Sequence, residues 1–233
     1  MISEVHNIDC LTYMRTVPDK FFELAIVDPP YGIGDINHTD SRKFHKKIKW
    51  NDSVPSDEYF MELFRVSKNQ IIWGINYYEN IVPHVGRIVH DKSPSNKQYP
   101  NLSDGDIASH SFGVNVRVFR YEWRGNVQGD IINWKNEGTD ARIHPTQKPV
   151  ALYKWLLENY AKKGDKIFDS HLGSQSSRIA AYDLGFDFYG CELDPEYFKE
   201  GCERFDAHRT KCEEIKELGY AKTEISKKSP TLF

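Results

Sequence analysis

The stretch Lys166-Ile167-Phe168-Asp169-Ser170-His171-Leu172-Gly173-Ser174-Gln175-Ser176-Ser177 decides the fold. Ile167 and Phe168 read as a short buried strand, the Gly/Ser-rich residues after Asp169 as a tight turn, and Ser176 to Leu184 as a helix stopped by Gly185. Strand, turn and helix in that order build a doubly wound α/β sheet, and such a turn lets the backbone approach a cofactor closely. The next strand, Phe188-Tyr189-Gly190-Cys191, ends at Glu192, about twenty residues beyond the turn, where an acidic side chain can take both hydroxyls of a ribose. Asp194 then caps a helix whose first turn holds Pro195 and Glu196.

Far upstream, the apolar run Leu24-Ala25-Ile26-Val27 ends in Asp28-Pro29-Pro30-Tyr31. The Asp28 carboxylate and the Pro29 carbonyl, left free because proline has no N–H, could accept both hydrogens of an exocyclic amine and draw its lone pair back onto nitrogen. Tyr31 supplies a flat face for a base. A strand that merely ends in an acidic residue and a Pro-Pro turn has the same sequence, and the four residues alone leave both readings open. Ligands gather at the carboxyl ends of strands in open α/β sheets, so this loop and the turn after Asp169 would meet at one edge.

Together with Asn7-Ile8-Asp9-Cys10 and His144-Pro145-Thr146-Gln147-Lys148-Pro149, these pieces resemble the DNA amino-methyltransferases that use S-adenosylmethionine. The resemblance is to the permuted, beta-type group, in which the catalytic tetrapeptide precedes the donor turn, and to its phage-like and restriction-modification members. It implies an α/β fold, a doubly wound, mostly parallel Rossmann-like methyltransferase sheet. One domain would span residues 1–233, with a target-recognition insertion at 93–143 and a flexible tail at 222–233. It implies that Asp28, Pro29, Pro30 and Tyr31 hold and stack a flipped adenine, which an intact duplex would keep out of reach. Asp169 and Gly173 would line the methionine end of the donor, Glu192 its ribose, and Asp9 with Cys10 its adenine; His171 and Ser174, in the same turn as Gly173, would also bind the donor. Thr146, Gln147 and Lys148 would close over the methionine end. The implied reaction is methyl transfer to adenine N6 in double-stranded DNA. Cytosine N4 is the alternative, and an aspartate rather than a serine at the first tetrapeptide position favours adenine.

Gln175 stands where the resemblance expects a second glycine. Its side chain would lie against the donor or turn to solvent, and the reading favours solvent. Two other classes are open to this sequence: a catalytically weak DNA-binding relative, prompted by Gln175, and a nucleotide-dependent oxidoreductase, which leaves the tetrapeptide without a role.

At 233 residues, 39% hydrophobic and 13% aromatic, the chain suits one domain with a sizeable core. Tyr59, Phe60, Leu63 and Phe64 follow Ser56 at helical spacing, and Leu152, Trp155, Leu156 and Tyr160 repeat the pattern. Net charge is −3, so any DNA contact must rest on local clusters. Arg42, Lys43, Lys46 and Lys47 crowd the segment after the tetrapeptide, where phosphates would pass. Arg117, Arg120 and Arg124, with Tyr121 and Trp123, could face DNA, and Val114, Val116 and Val118 alternate as in a half-buried strand. The four cysteines lack paired metal-ligand spacing and the nine histidines lack an HExxH pattern, so no metal is expected. The opening residues lack a basic or apolar leader, which suggests the cytoplasm. Beyond DNA, the expected partners are a second copy of the chain and a sliding clamp, since Thr231-Leu232-Phe233 resembles the ending of clamp-binding peptides without their usual glutamine.

Overall fold

The computed structural model describes residues 1–33, 53–78, 80–94, 103–124, 127–129 and 142–228. In chain order the elements are β1 (Ser3–Asn7), α1 (Cys10–Met14), β2 (Phe22–Val27), α2 (Asp57–Val66), β3 (Ser67–Trp73), β4 (Gly86–Asp91), β5 (Gly105–His110), β6 (Val116–Arg120), β7 (Glu122–Arg124), β8 (Val127–Gly129), α3 (Val150–Tyr160), β9 (Lys166–Asp169), α4 (Ser176–Leu184), β10 (Asp187–Glu192) and α5 (Pro195–Lys228). Among the described residues, one sheet has the order β1-β10-β9-β2-β3-β5-β4-β6, and β7 pairs with β8 separately.

The first five strands of that order are mutually parallel, so the carboxyl ends of β1, β10, β9, β2 and β3 share one edge. Leu24 pairs with Ile167 and Ala25 with Phe168, which sets the residues after Val27 beside the residues after Asp169. Such centrally placed parallel strands are buried on both faces and read as continuous apolar runs. Leu24 through Val27 and Ile71 through Trp73 are all essentially inaccessible. One apolar layer packs Met14, Tyr59, Phe60 and Leu63 from α1 and α2 against Phe22, Val27 and Phe168. The other packs Leu152 and Leu156 of α3 and Ala180 of α4 against Leu24, Ile26, Ile71 and Trp73. Helices on both faces of a mostly parallel sheet make this the expected doubly wound, Rossmann-like architecture.

Local signals explain the boundaries. Ser56 accepts the Tyr59 N–H and starts α2, Asp194 accepts the N–H groups of Glu196 and Tyr197 and starts α5, and Gly185 in the left-handed region ends α4.

The segment expected to be an insertion contributes β5 and β6 to the main sheet, with β5 inserted antiparallel between β3 and β4. The half-burial expected of Val114, Val116 and Val118 is overturned: they are 72%, 60% and 41% exposed, Val114 because it precedes the strand and the other two because β6 is the outer strand and pairs with β4 alone. The tail expected from residue 222 is helical backbone through Lys228, as the last turns of α5. Thr231, Leu232 and Phe233, and the basic residues Arg42, Lys43, Lys46 and Lys47, lie outside the described residues. No helix among the described residues is long and apolar enough to cross a membrane.

Candidate active site

Asp28 leaves the carboxyl end of β2 with both carboxylate oxygens engaged. The Tyr31 hydroxyl donates to Oδ1 at 2.5 Å, and the Lys148 ammonium donates to Oδ2 at 2.6 Å. Lys148 Nζ also lies 3.3 Å from the Tyr31 hydroxyl and 5.2 Å from the centre of the Trp73 ring. Burial alone would pull this lysine's pKa down, but the carboxylates of Asp28 and Asp106 hold it above the ordinary lysine range. The Tyr31 ring stacks on Tyr77, with centroids 4.8 Å apart and planes 12° apart. Gly74, at φ +76°, makes room for this pair, since a Cβ there would fall 2.6 Å from Tyr31 Cδ1.

On the neighbouring strand, Asp169 is buried and accepts the Ser177 hydroxyl at 2.6 Å and the His171 N–H at 3.0 Å. Burial first, then the charges of Asp28 and Glu192, outweigh those two hydrogen bonds and push its pKa up to about 7. His171 is held neutral by burial, at about 4, with Nδ1 2.8 Å from the Ser170 hydroxyl. Tyr59 of α2 reaches that same hydroxyl at 2.7 Å and so braces the turn from the opposite layer. Glu192 accepts the Gly173 N–H at 2.8 Å and the Asp194 N–H at 3.0 Å, and burial raises its pKa. Its bonds fix the carboxylate at the mouth of the turn while leaving lone pairs to spare.

Asp9 caps α1, accepting the N–H and the hydroxyl of Thr12, and thereby seats Cys10, whose sulfur lies 4.0 Å from His171 Nε2. Burial pushes the Cys10 thiol up to about 12, so it stays protonated and apolar in character. The His144 ring packs beside Gly173, and its Nδ1 lies 3.2 Å from the Thr146 hydroxyl. Gln147 turns into its own loop, accepting the Ile143 N–H on Oε1.

Gln175 obeys neither expectation, donor nor solvent. It sits at φ 58°, fully buried, with Nε2 3.3 Å from the Phe198 carbonyl and Oε1 accepting from Arg178 at 2.9 Å. Its amide points away from the turn, beneath α5. Tyr121 and Trp123, expected to face DNA, are buried as well. Phe119 lies 5.5 Å from the Trp155 ring and stacks on Tyr121, and Trp123 Nε1 donates to the Gln147 carbonyl at 2.6 Å. Apolar burial against α3 outweighs exposure there. Arg117 and Arg120 are exposed on β6, the latter 3.7 Å from Asp91, and Arg124 ends β7. Sequence reasoning missed Asp106 and Tyr77, for which no motif spacing gave a signal. It also saw no metal-ligand spacing, although folding brings donor atoms of Asp183, His208 and Cys212 within 4.8 Å of one another at the far end of α4, as a surface His–Asp pair with a thiol beside it.

The arrangement is a half-buried carboxylate with an aromatic wall, one strand away from a glycine turn with a fixed acid at its mouth. A family model described as DNA methylase, and named for both N6 and N4 methylation, matches residues 115–203. The chain is similar to DNA methylases. It is 26% identical over 214 residues to a putative methylase, YubD, of Escherichia coli (strain K12), covering 85% of this chain and 88% of that protein. Its fold matches a putative DNA modification methylase of Thermus thermophilus complexed with S-adenosyl-L-methionine, at a TM-score of 0.54 and 14% identity over 89% of this chain and 96% of that one. It also matches the cytosine-N4-specific PvuII DNA methyltransferase, at a TM-score of 0.56 and 14% identity over 86% and 85% of the two chains.

Proposed function

We propose that this protein is an S-adenosylmethionine-dependent DNA methyltransferase acting on an exocyclic amine, adenine N6. The observation that carries the reading is the pairing of β2 with β9. It sets Asp28 beside the turn after Asp169, close enough for Asp28 to contribute to the raised pKa of Asp169.

The donor fits the residues present. Glu192 would take the ribose hydroxyls, the turn from Asp169 to Ser174 would take the methionine end, and Asp9 and Cys10 would flank the adenine. Gln175 presents no obstacle, because its side chain is spent on α5. When bound, the donor supplies a methyl group already activated by the adjacent sulfonium. The chain's part is to bring in a flipped base, stack it by Tyr31, and let Asp28 and the Pro29 carbonyl take the amine hydrogens so that the nitrogen lone pair is available for attack. Asp28 is then placed to accept the proton that the methylated amine sheds. Arg42, Lys43, Lys46, Lys47, Arg117, Arg120 and Arg124 would supply phosphate contacts, and double-stranded DNA is the partner.

The likeness to a cytosine-N4-specific enzyme gives the second reading, N4 of cytosine, since both targets are amines presented alike. Incubating the protein with donor and unmethylated DNA, then digesting to nucleosides for mass spectrometry, decides. N6-methyladenine is expected; N4-methylcytosine selects the second reading, and no methylated nucleoside rejects both.

A further inference from the structure

The Lys148 ammonium stands between two carboxylates. It lies 2.6 Å from Asp28 Oδ2 and 3.9 Å from Asp106 Oδ2. Asp106 belongs to β5, whose antiparallel course beside β3 returns its first residues to the edge where the parallel strands end. Its other oxygen accepts Lys92 at 2.8 Å. Burial would raise the Asp106 carboxyl, but Lys148 and Lys92 bring it down to about 2. His90, 4.0 Å away, is kept neutral by burial at about 4 and adds no cation near neutrality. Asp28, Asp106, Lys92 and Lys148 therefore form a balanced group of two acids and two bases.

An incoming amine needs an oxygen of Asp28, and an ammonium is the stronger donor. A cation held 2.6 Å from that oxygen would also oppose the positive charge that develops on nitrogen as it takes the methyl group. Removing a buried lysine from its only carboxylate would strand a charge, at a prohibitive cost. Here a second carboxylate waits about one ångström beyond hydrogen-bonding reach, and the faces of Trp73 and Tyr31 flank the path at 5.2 and 5.9 Å.

Resting on the amine-methyltransferase reading, we propose that Lys148 is a gate that passes from Asp28 to Asp106 when the target amine arrives, and that Asp106 is the positioning residue that receives it. Before the base enters, Lys148 satisfies Asp28. Afterwards it completes an Asp106 pair with Lys92 and leaves Asp28 Oδ2 to the amine.

The test compares wild type, Asp106→Asn, Lys148→Met and the double variant in kcat and KM for duplex DNA, with thermal melts as the check on folding and donor binding by calorimetry beside them. Wild type that transfers no methyl group refutes the underlying reading. Given an active wild type, Asp106→Asn should trap Lys148 on Asp28, raising KM and lowering kcat/KM by about 10–100-fold with donor affinity unchanged. Adding Lys148→Met to that variant should recover about tenfold, a suppression that a purely structural role for Asp106 does not give. The gate is overturned by an Asp106→Asn variant within twofold of wild type, or by a Lys148→Met loss that is the same in both backgrounds. If Asp106→Asn does not fold, Lys148→Met alone decides through duplex carrying 2-aminopurine at the methylated position. Fluorescence from the flipped base should exceed that with wild type, and an equal or lower signal overturns the gate.

Discussion

Gln175 and Gly201 fit together as a knob and its hole. A Cβ on Gly201 would stand 2.7 Å from Gln175 Cγ and 2.8 Å from its Nε2, so the bare backbone of α5 makes the room that this side chain fills. The amide is fully buried and bonded to Arg178 and the Phe198 carbonyl, which explains a bulky residue in a left-handed position that ordinarily suits glycine.

This fit predicts a sign reversal. Gly201→Ala should destabilise the wild type by about 1–2 kcal/mol, because overpacking exceeds the gain in helix propensity. In the Gln175→Gly background the same change should stabilise by about 0.5–1 kcal/mol, the propensity term alone. Urea unfolding of the four proteins gives the cycle. Donor affinity of Gln175→Gly should stay within about threefold of wild type, because the amide faces α5; a tenfold gain would show that it obstructs the donor.

Asp28 separates chemistry from binding. Asp28→Asn keeps the shape but puts an amide where two hydrogens must be accepted, and should lower kcat by about 10²–10³-fold with donor affinity unchanged. Asp28→Ala should abolish methylation as well, and should be the less stable of the two, since it opens a space beside the buried Lys148 ammonium. Filter binding of labelled donor, single-turnover methylation and thermal melts separate these effects. Full activity in Asp28→Ala would sink the scheme.

The sequence made the parallel half of the sheet and its edge legible because each strand there carries its own punctuation. Asp28-Pro29, Asp169 before the glycine turn, and Glu192 before Asp194 all mark chain reversals through local chemistry, and parallel central strands are apolar throughout. The far half was not legible. β5 and β6 alternate weakly, and their place depends on pairing across long separations, so Asp106 could not be foreseen at the site. Tyr121 and Trp123 were misplaced for a related reason, since an aromatic residue beside arginines reads alike on a DNA face and under a helix. Gln175 was misread because its neighbour Gly201 sits 26 positions downstream, beyond the reach of any local rule.

Gly74 tests the aromatic wall. Alanine there would take a backbone angle it rarely adopts and would also drive its Cβ into the Tyr31 ring and the Tyr78 hydroxyl. Gly74→Ala should cost about 2–3 kcal/mol of stability. It should also raise KM for DNA more than it lowers donor affinity, because Tyr31 is displaced and the turn after Asp169 is not touched. Parallel melts and steady-state kinetics check both, and an unchanged KM would show that the Tyr31 position does not matter to substrate.

Asp169 gives the pH dependence. Its folded pKa, about 7, lies above its ordinary 3.8, so between those values the folded chain holds a proton that the unfolded chain has lost. Stability from this group is therefore fully present below about 4, falls as pH rises through the window, and is flat above about 7. Asp169→Asn removes the buried charge, so the melting temperature of the variant relative to wild type should be more favourable at pH 8 than at pH 4.5. Donor binding should run the other way. If the ionised carboxylate faces the donor's ammonium, wild-type affinity should rise as pH climbs through about 7, while that of Asp169→Asn stays nearly flat. His171, neutral down to about 4, and the Cys10 thiol, protonated up to about 12, do not titrate across this range, and the Asp169→Asn profile separates Asp169 from Glu192, whose carboxyl burial also raises. Calorimetric titrations with S-adenosylmethionine from pH 6 to 8.5 measure it, and a wild-type affinity that does not change would remove Asp169 from the donor site.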